Sequence, residues 1–346
     1  MVGAVRLKAT RVALQGPIGT AALAGLALLA ILALLVPRAI SNPSLFFQYS
    51  IYGVANGAIY ALIALGYTMV YGIIELINFA HGDVFTLGAF ISLPLIGAFG
   101  LTEGKASGIG LYAALFVVVV VVMLVNGLIN VGIERVAYRP LRNAPRLAPL
   151  ITAVGMSFML EGIMYLWRGA NNIHYPDLIP DVRVPIGGSA SISLKDVAVI
   201  GIAVTLVVIL TIFITQSKLG KAMRATAQDR DAAQLMGIDI NRTIAATFFI
   251  GAALAGAGGI IFGLYFNSVR FDLGFQAGLF AFTAAVFGGI GNIRGAAVGG
   301  LMIGLVKAFN DGYFDSRWTD VWIFSILILV LLFRPSGLLG MQVPEK

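Results

Sequence analysis

Runs of apolar residues recur along the chain, each broken by a short cluster of glycine, proline or charged residues. Ten can be placed, near residues 18–36, 45–72, 84–99, 111–131, 148–167, 197–215, 244–265, 276–290, 296–309 and 321–333. Leu111–Val125 and Trp322–Phe333 carry no charge, and several runs reach the roughly 20 residues that cross a hydrocarbon core. In lipid only helices or closed barrels satisfy every backbone group, and all ten runs are read as helical. The expected fold is an all-α polytopic membrane protein; because several runs are short, it has about eight to ten transmembrane helices.

Composition agrees. Of 346 residues, 59% are apolar and 11% charged, with a mean hydropathy of +0.94, whereas soluble domains carry about 25% charged residues. The longest polar gap, Arg168–Asp196, is too short for a soluble domain. With no cysteine, disulfides and thiolate metal sites are excluded. The two histidines, His81 and His174, are far apart, so no metal or haem site is expected.

The net charge of +7 lies in short loops between runs, which points to membrane topology and not to nucleic acid. Arg6, Lys8 and Arg11 precede the run 18–36. That run exceeds the 7–15 apolar residues of a signal peptide, and no small-x-small site follows before Pro37-Arg38. An uncleaved first helix is expected. Ten crossings then leave both termini in the cytoplasm, with 15 basic residues on the inner side against 8 on the outer, in keeping with the positive-inside rule.

Gly53/Gly57, Gly259/Gly263, Gly295/Gly299 and Gly300/Gly304 are spaced four apart, which lets helix backbones approach. Two polar breaks are candidates for a translocation path. Glu75, Asn78, His81, Gly82 and Asp83 fall within nine residues. They form either a solvated turn between spans or a break at membrane depth, with Asn78 and Asp83 able to cap the helix that follows. Gly288, Gly289 and Gly291 break the later apolar region, as a tight inner turn or a second lining break. Glu161, alone in its run, is read as structural, satisfied by hydration or a hydrogen bond.

Lys218–Arg242 is polar between two long apolar runs. Gly220-Lys221 is followed by Ala222-Met223, so no phosphate-binding loop is present. Ala225–Met236 is expected to form one short helix stopped by Gly237. Its Asp229, Arg230, Asp231 and Gln234 suit polar contacts with another protein; a solvated loop helix is the other reading.

Four segments carry a resemblance: Gly57–Leu62 through Gly66–Gly72, Asn78–Gly82, Ile133–Pro140, and Phe282–Val286 through Gly288–Gly291. With Gly220–Gly237 and Arg334–Gly340 they cover nearly all of Tyr49–Gly340. On these the chain resembles the LivH-type permease of branched-chain amino acid ABC importers.

The resemblance implies a permease domain over residues 45–346. Residues 1–44 are then an added N-terminal basic segment with an extra helix. It further implies a bacterial-type inner membrane location, a second permease chain, cytoplasmic ABC ATPases and an external substrate-binding protein. ATP and Mg²⁺ would sit on the ATPases and no cofactor on this chain. Asp231-Ala232-Ala233 with Gly237 is similar to the Glu-Ala-Ala-x3-Gly loop that engages the ATPase. Asp replaces Glu, and no Ile-x-Leu-Pro follows Gly237. The implied coupling set is Arg224, Asp229, Arg230, Asp231, Ala232, Ala233 and Gly237.

The expected cargo is a branched-chain or related aliphatic amino acid. Urea, short amides and other small polar solutes are the alternatives within the class. A proton-coupled secondary transporter using Glu161, Glu75 or Asp83 is the competitor outside it. An enzyme is not expected, because no paired intramembrane carboxylates or nucleophile–base pair is evident.

Overall fold

The computed structural model describes residues 35–103, 108–142, 144–145, 147–188 and 190–340. Nine of the ten expected runs fall among these residues, and each is a helix. The run 18–36, except its last two positions, lies outside them together with Arg6, Lys8 and Arg11, as do Lys105, Arg146 and Lys346.

The helices are α1 (Pro43–Ile74), α2 (Ala80–Ala98), α3 (Ile109–Ile133), α4 (Leu147–Arg168), α5 (Leu194–Gln216), α6 (Lys218–Gln228) and α7 (Arg230–Leu235). They continue as α8 (Ile240–Phe266), α9 (Leu273–Gly288), α10 (Ile293–Tyr313) and α11 (Thr319–Phe333). Among the described residues, eight helical stretches are long and apolar enough to cross a membrane, and α9 is a shorter apolar helix of 16 residues.

Helices α1, α2 and α8 form the buried centre, while α3, α4, α5 and α11 present apolar side chains outward. The expected glycine pairs make the close crossings. A Cβ on Gly57 would sit 2.7 Å from Leu301 Cα, and Gly300 and Gly304 lie on the α1 backbone at Ala61 and Gly57. Gly259 rests on the backbone at Phe85 and Gly263 on the ring of Tyr175. Gly295 and Gly299 lie on α9 at Gly288 and Ala284. With helices packed at backbone contact, polar side chains reach carbonyls across the crossings. Asn126 Nδ2 donates to Val84 O at 2.8 Å and Asn130 Nδ2 to Phe248 O at 2.9 Å, pinning α3 to α2 and α8.

The sequence expectations need three corrections. The gap Arg168–Asp196 is not simply a loop. Strand β1 (Ile173–His174) pairs antiparallel with β4 (Ser268–Val269), and β2 (Arg183–Gly187) pairs with β3 (Ala190–Ser193). Between them Tyr175 is buried, its hydroxyl 2.5 Å from Ser92 Oγ. The run expected to reach residue 290 stops at Gly288, because Gly289 takes φ +109°. The C-terminal segment docks there: Leu338 N donates to Phe287 O and Leu339 N to Gly288 O, at 2.8 and 2.9 Å.

The third correction concerns Ala225–Met236, which is not one helix. Asp229 is extended (φ −156°, ψ 113°) and its carboxylate accepts from Ala232 N at 2.9 Å. Asp229 therefore ends α6 and N-caps α7, as short acidic side chains favour. Gly237, at φ +82°, ends α7 as expected. Gly237 N bonds Gln234 O, and Ile238 N bonds Ala233 O, the paired pattern of a left-handed C-terminal cap.

Candidate functional site

The break after α1 divides its five candidate residues. Glu75 is exposed in a left-handed C-cap (φ 55°), its N–H bonded to Tyr71 O at 2.8 Å. Asn78, His81, Gly82 and Asp83 are all buried, the last three inside α2. A turn with every charge solvated is thus ruled out for Asp83. Neither Asn78 nor Asp83 acts as the expected cap, since Phe79 is the N-cap residue and no side chain bonds the helix start. Asn78 Oδ1 instead accepts from Tyr138 Oη at 2.7 Å.

Depth follows from packing. His81 meets α8 at Gly251, near the midpoint of that 27-residue helix. Helix α2 therefore starts inside the bundle and not at its end, as in discontinuous transporter helices. The imidazole fits because Gly66 has no side chain there, and Tyr67 crosses it edge-on with ring centroids 4.9 Å apart. Two residues further into α2, Asp83 accepts a hydrogen bond from Ser157 on α4 and lies against Gly274 in the first turn of α9. Both His81 nitrogens, Asp83 Oδ1, Thr68 Oγ1, Thr86 Oγ1 and Asn78 Nδ2 are buried without a hydrogen-bond partner. A buried polar atom left unpaired costs about 1–3 kcal/mol, and these six, on α1, α2 and the break between them, are the buried polar file of the bundle.

At one end of this file, Ile133–Pro140 closes the gap between α3 and α4. Glu134 is buried and ion-paired with Arg142. Arg142 Nη1 and Arg139 Nε both donate to Asn241 Oδ1 at the start of α8, at 2.7 and 3.2 Å. Gly288, Gly289 and Gly291 lie at this same end, with Gly291 beside Gly72 of α1. Gly288 and Gly289 are covered by the α10 backbone and the C-terminal segment, so these two are packing positions.

Helices α6 and α7 also lie at this end. Arg230 donates to Ile73 O from Nη2 at 2.7 Å and Nε at 3.3 Å, and Arg224 Nη1 donates to Ile214 O at 2.5 Å. These arginines face their own chain, tying α7 to the end of α1 and α6 to α5. Ala233 is buried, whereas Asp231, Ala232 and Gln234 are exposed. Leu235 and Met236 are 88% and 83% exposed, which the sequence reading did not single out.

The opposite end carries the strands and a charged rim. Lys195 Nζ lies 2.7 Å from Asp177 Oδ1, and that bond holds the Asp177 carboxyl below its usual pKa. Among the described residues, no cluster of three or more His, Cys, Asp or Glu could hold a metal.

Residues 49–332 match the family described as the branched-chain amino acid transport system permease component. The chain is 45% identical over 305 residues to the high-affinity branched-chain amino acid transport system permease protein LivH of Escherichia coli K12, covering 87% of this chain and 97% of that protein. Against BraD of Pseudomonas aeruginosa it is 43% identical over 308 residues, with 87% and 98% covered. It is also 24% identical over 308 residues to LivM of E. coli K12, a second permease protein of that transport system, with 83% and 69% covered. No solved structure matches the chain. A multi-pass helical membrane protein matched over this length belongs to the family of branched-chain amino acid transport permeases, which are transport subunits and not enzymes.

Proposed function

We propose that the chain is the membrane-spanning permease subunit of an ATP-driven importer for branched-chain amino acids. The observation that carries this reading is 45% identity across 97% of a branched-chain permease. Its partner would be a second, different permease chain, because both LivH and LivM of one organism are similar to it. Cytoplasmic ATPases would supply ATP and Mg²⁺, and an external binding protein would deliver the amino acid. Both termini then face the cytoplasm of a bacterial-type inner membrane.

Helix α7 is the coupling element, with Leu235 and Met236 as its apolar contact on the ATPase. A push on α7 reaches α1 through Arg230 and, through α6, reaches α5 through Arg224. Those helices rock between inward- and outward-open arrangements. The amino acid passes the buried polar file from Asp83 to Asn78, with water filling the positions it leaves.

The test is purification of the tagged chain in mild detergent with whatever accompanies it, then reconstitution with binding protein. ATP-dependent leucine uptake by a preparation containing an ATPase and a second permease is expected. Uptake driven by a pH gradient in liposomes holding this chain alone would replace this reading with a secondary transporter.

A further inference from the structure

At the end of the bundle away from α7, a cavity of about 790 Å³ opens between α4, the end of α8 and the start of α9. Its walls combine two chemistries. Phe158, Phe262, Phe266 and Phe275, with Val269 and Leu273, form an apolar surface, and the Phe262 and Phe266 rings lie 4.4 Å apart. Glu161, Arg270 and Asp272 line the same space together with Asn172, Ser268 and Gln276. Arg270 pairs with Asp272 through Nε and Nη2, which leaves its Nη1 to donate elsewhere. Glu161 is half-buried in α4 and makes no hydrogen bond or salt bridge among the described residues.

An apolar surface beside one unpaired carboxylate and one incompletely used guanidinium fits a zwitterion with an aliphatic side chain. A lone apolar solute would leave Glu161 and Arg270 nothing to bond. Position agrees with chemistry: Ser157, which bonds buried Asp83, directly precedes Phe158 on α4. Gly274, against which Asp83 lies, directly follows Leu273 of the cavity wall. The unpartnered Oδ1 of Asp83 is thus one layer behind the cavity, at the head of the buried polar file.

We propose that this cavity is the receiving site for the amino acid. Glu161 takes the ammonium group, Arg270 the carboxylate, and Phe158, Phe262 and Phe266 the aliphatic side chain. The inference rests on the importer reading and adds to it the residues that meet the cargo before it enters the bundle.

The test uses the assembled transporter in liposomes with a leucine analogue that carries a photoreactive diazirine in its side chain. Irradiation is expected to label peptides containing Phe158, Phe262 or Phe266, and excess leucine is expected to suppress it. Glu161→Gln should lower labelling by about tenfold, the loss of one charge-assisted hydrogen bond. Glu161→Asp should keep most of it, and co-purification of the ATPase and the second permease with both variants would show that the assembly is intact. Labelling confined to other segments, or labelling here that leucine does not compete or that Glu161→Gln leaves unchanged, would overturn the site. The last pattern is what a lipid-filled crevice gives. If unaltered liposomes take up leucine yet the cavity stays unlabelled, only the site fails. If they take up no leucine, the importer reading fails with it.

Discussion

The hydroxyl of Tyr138 donates to Asn78 Oδ1 at 2.7 Å, joining two polar segments sixty residues apart. The bond fastens the break before α2 to the π-helical turn Glu134–Tyr138 that continues α3, and the Tyr138 ring packs on Phe248 of α8 with centroids 5.6 Å apart. The ring is held by packing and the hydroxyl by one partner, so the two contributions separate cleanly.

Tyr138→Phe keeps the ring and removes only the bond, leaving Asn78 with both amide atoms unpaired. The expected loss of stability is about 0.6–2 kcal/mol, the range for interhelical hydrogen bonds and unpaired buried groups. Unfolding in detergent of Tyr138→Phe, Asn78→Ala and the double variant measures it. Strictly additive losses would mean the bond contributes nothing.

Gly66 and His81 give a second prediction. A Cβ on Gly66 would overlap the His81 imidazole, and Gly251 closes the space from the other side. Gly66→Ala is expected to destabilise by about 1–3 kcal/mol, as overpacking of a closed site does. His81→Ala introduced beside Gly66→Ala should recover part of that loss. A further drop in melting temperature in the double variant would count against the steric cause.

What could be read from the sequence and what could not separate along physical lines. The nine described runs were legible because hydrophobic continuity is a local property, and the four glycine pairs because close approach needs small residues at a fixed spacing. Asn126 and Asn130 passed unnoticed: an asparagine in an apolar run has no periodic signature, and its partners Val84 and Phe248 are remote in sequence. The burial of His81 and Asp83 depends on vacancies at Gly66, Gly251 and Gly274. Only the packed bundle brings these together, so a solvated turn and a buried break looked alike. Arg230 read as a partner-binding residue because its acceptor, Ile73 O, is a carbonyl left free by the end of α1.

Asp177 and Lys195 bear on pH. The Asp177 carboxyl is held below its usual pKa by the Lys195 bond, so the pair stabilises the fold above the unfolded carboxylate value near 3.9. That contribution is lost as pH falls through the folded value, and it is flat between pH 5 and 8. Asp177 is 52% exposed, so solvent screening limits the pair to about 0–1 kcal/mol. Asp177→Asn should lower the melting temperature slightly at pH 7 in low salt, and the difference should shrink as pH falls through the folded Asp177 value. A difference that did not shrink in acid would mean the aspartate acts by something other than its charge.

Arg230 tests whether α7 transmits movement or merely attaches the ATPase. Its guanidinium bonds the Ile73 carbonyl at the end of α1, where a cation also meets the negative end of the helix dipole. Leu235 and Met236 point away from the bundle and make no part of that bond. Arg230→Ala should therefore leave ATPase attachment intact while cutting the link to α1. The expected result is a complex that co-purifies normally and hydrolyses ATP, but moves several-fold less amino acid per ATP. Losing about 1.5–3 kcal/mol of charge-assisted bonding is enough to free α7 from α1. Arg230→Lys, which keeps the charge but not the paired donors, should fall between the two. If transport and hydrolysis fell in proportion, α7 would be an attachment point, and the stroke would have to reach α1 by another route.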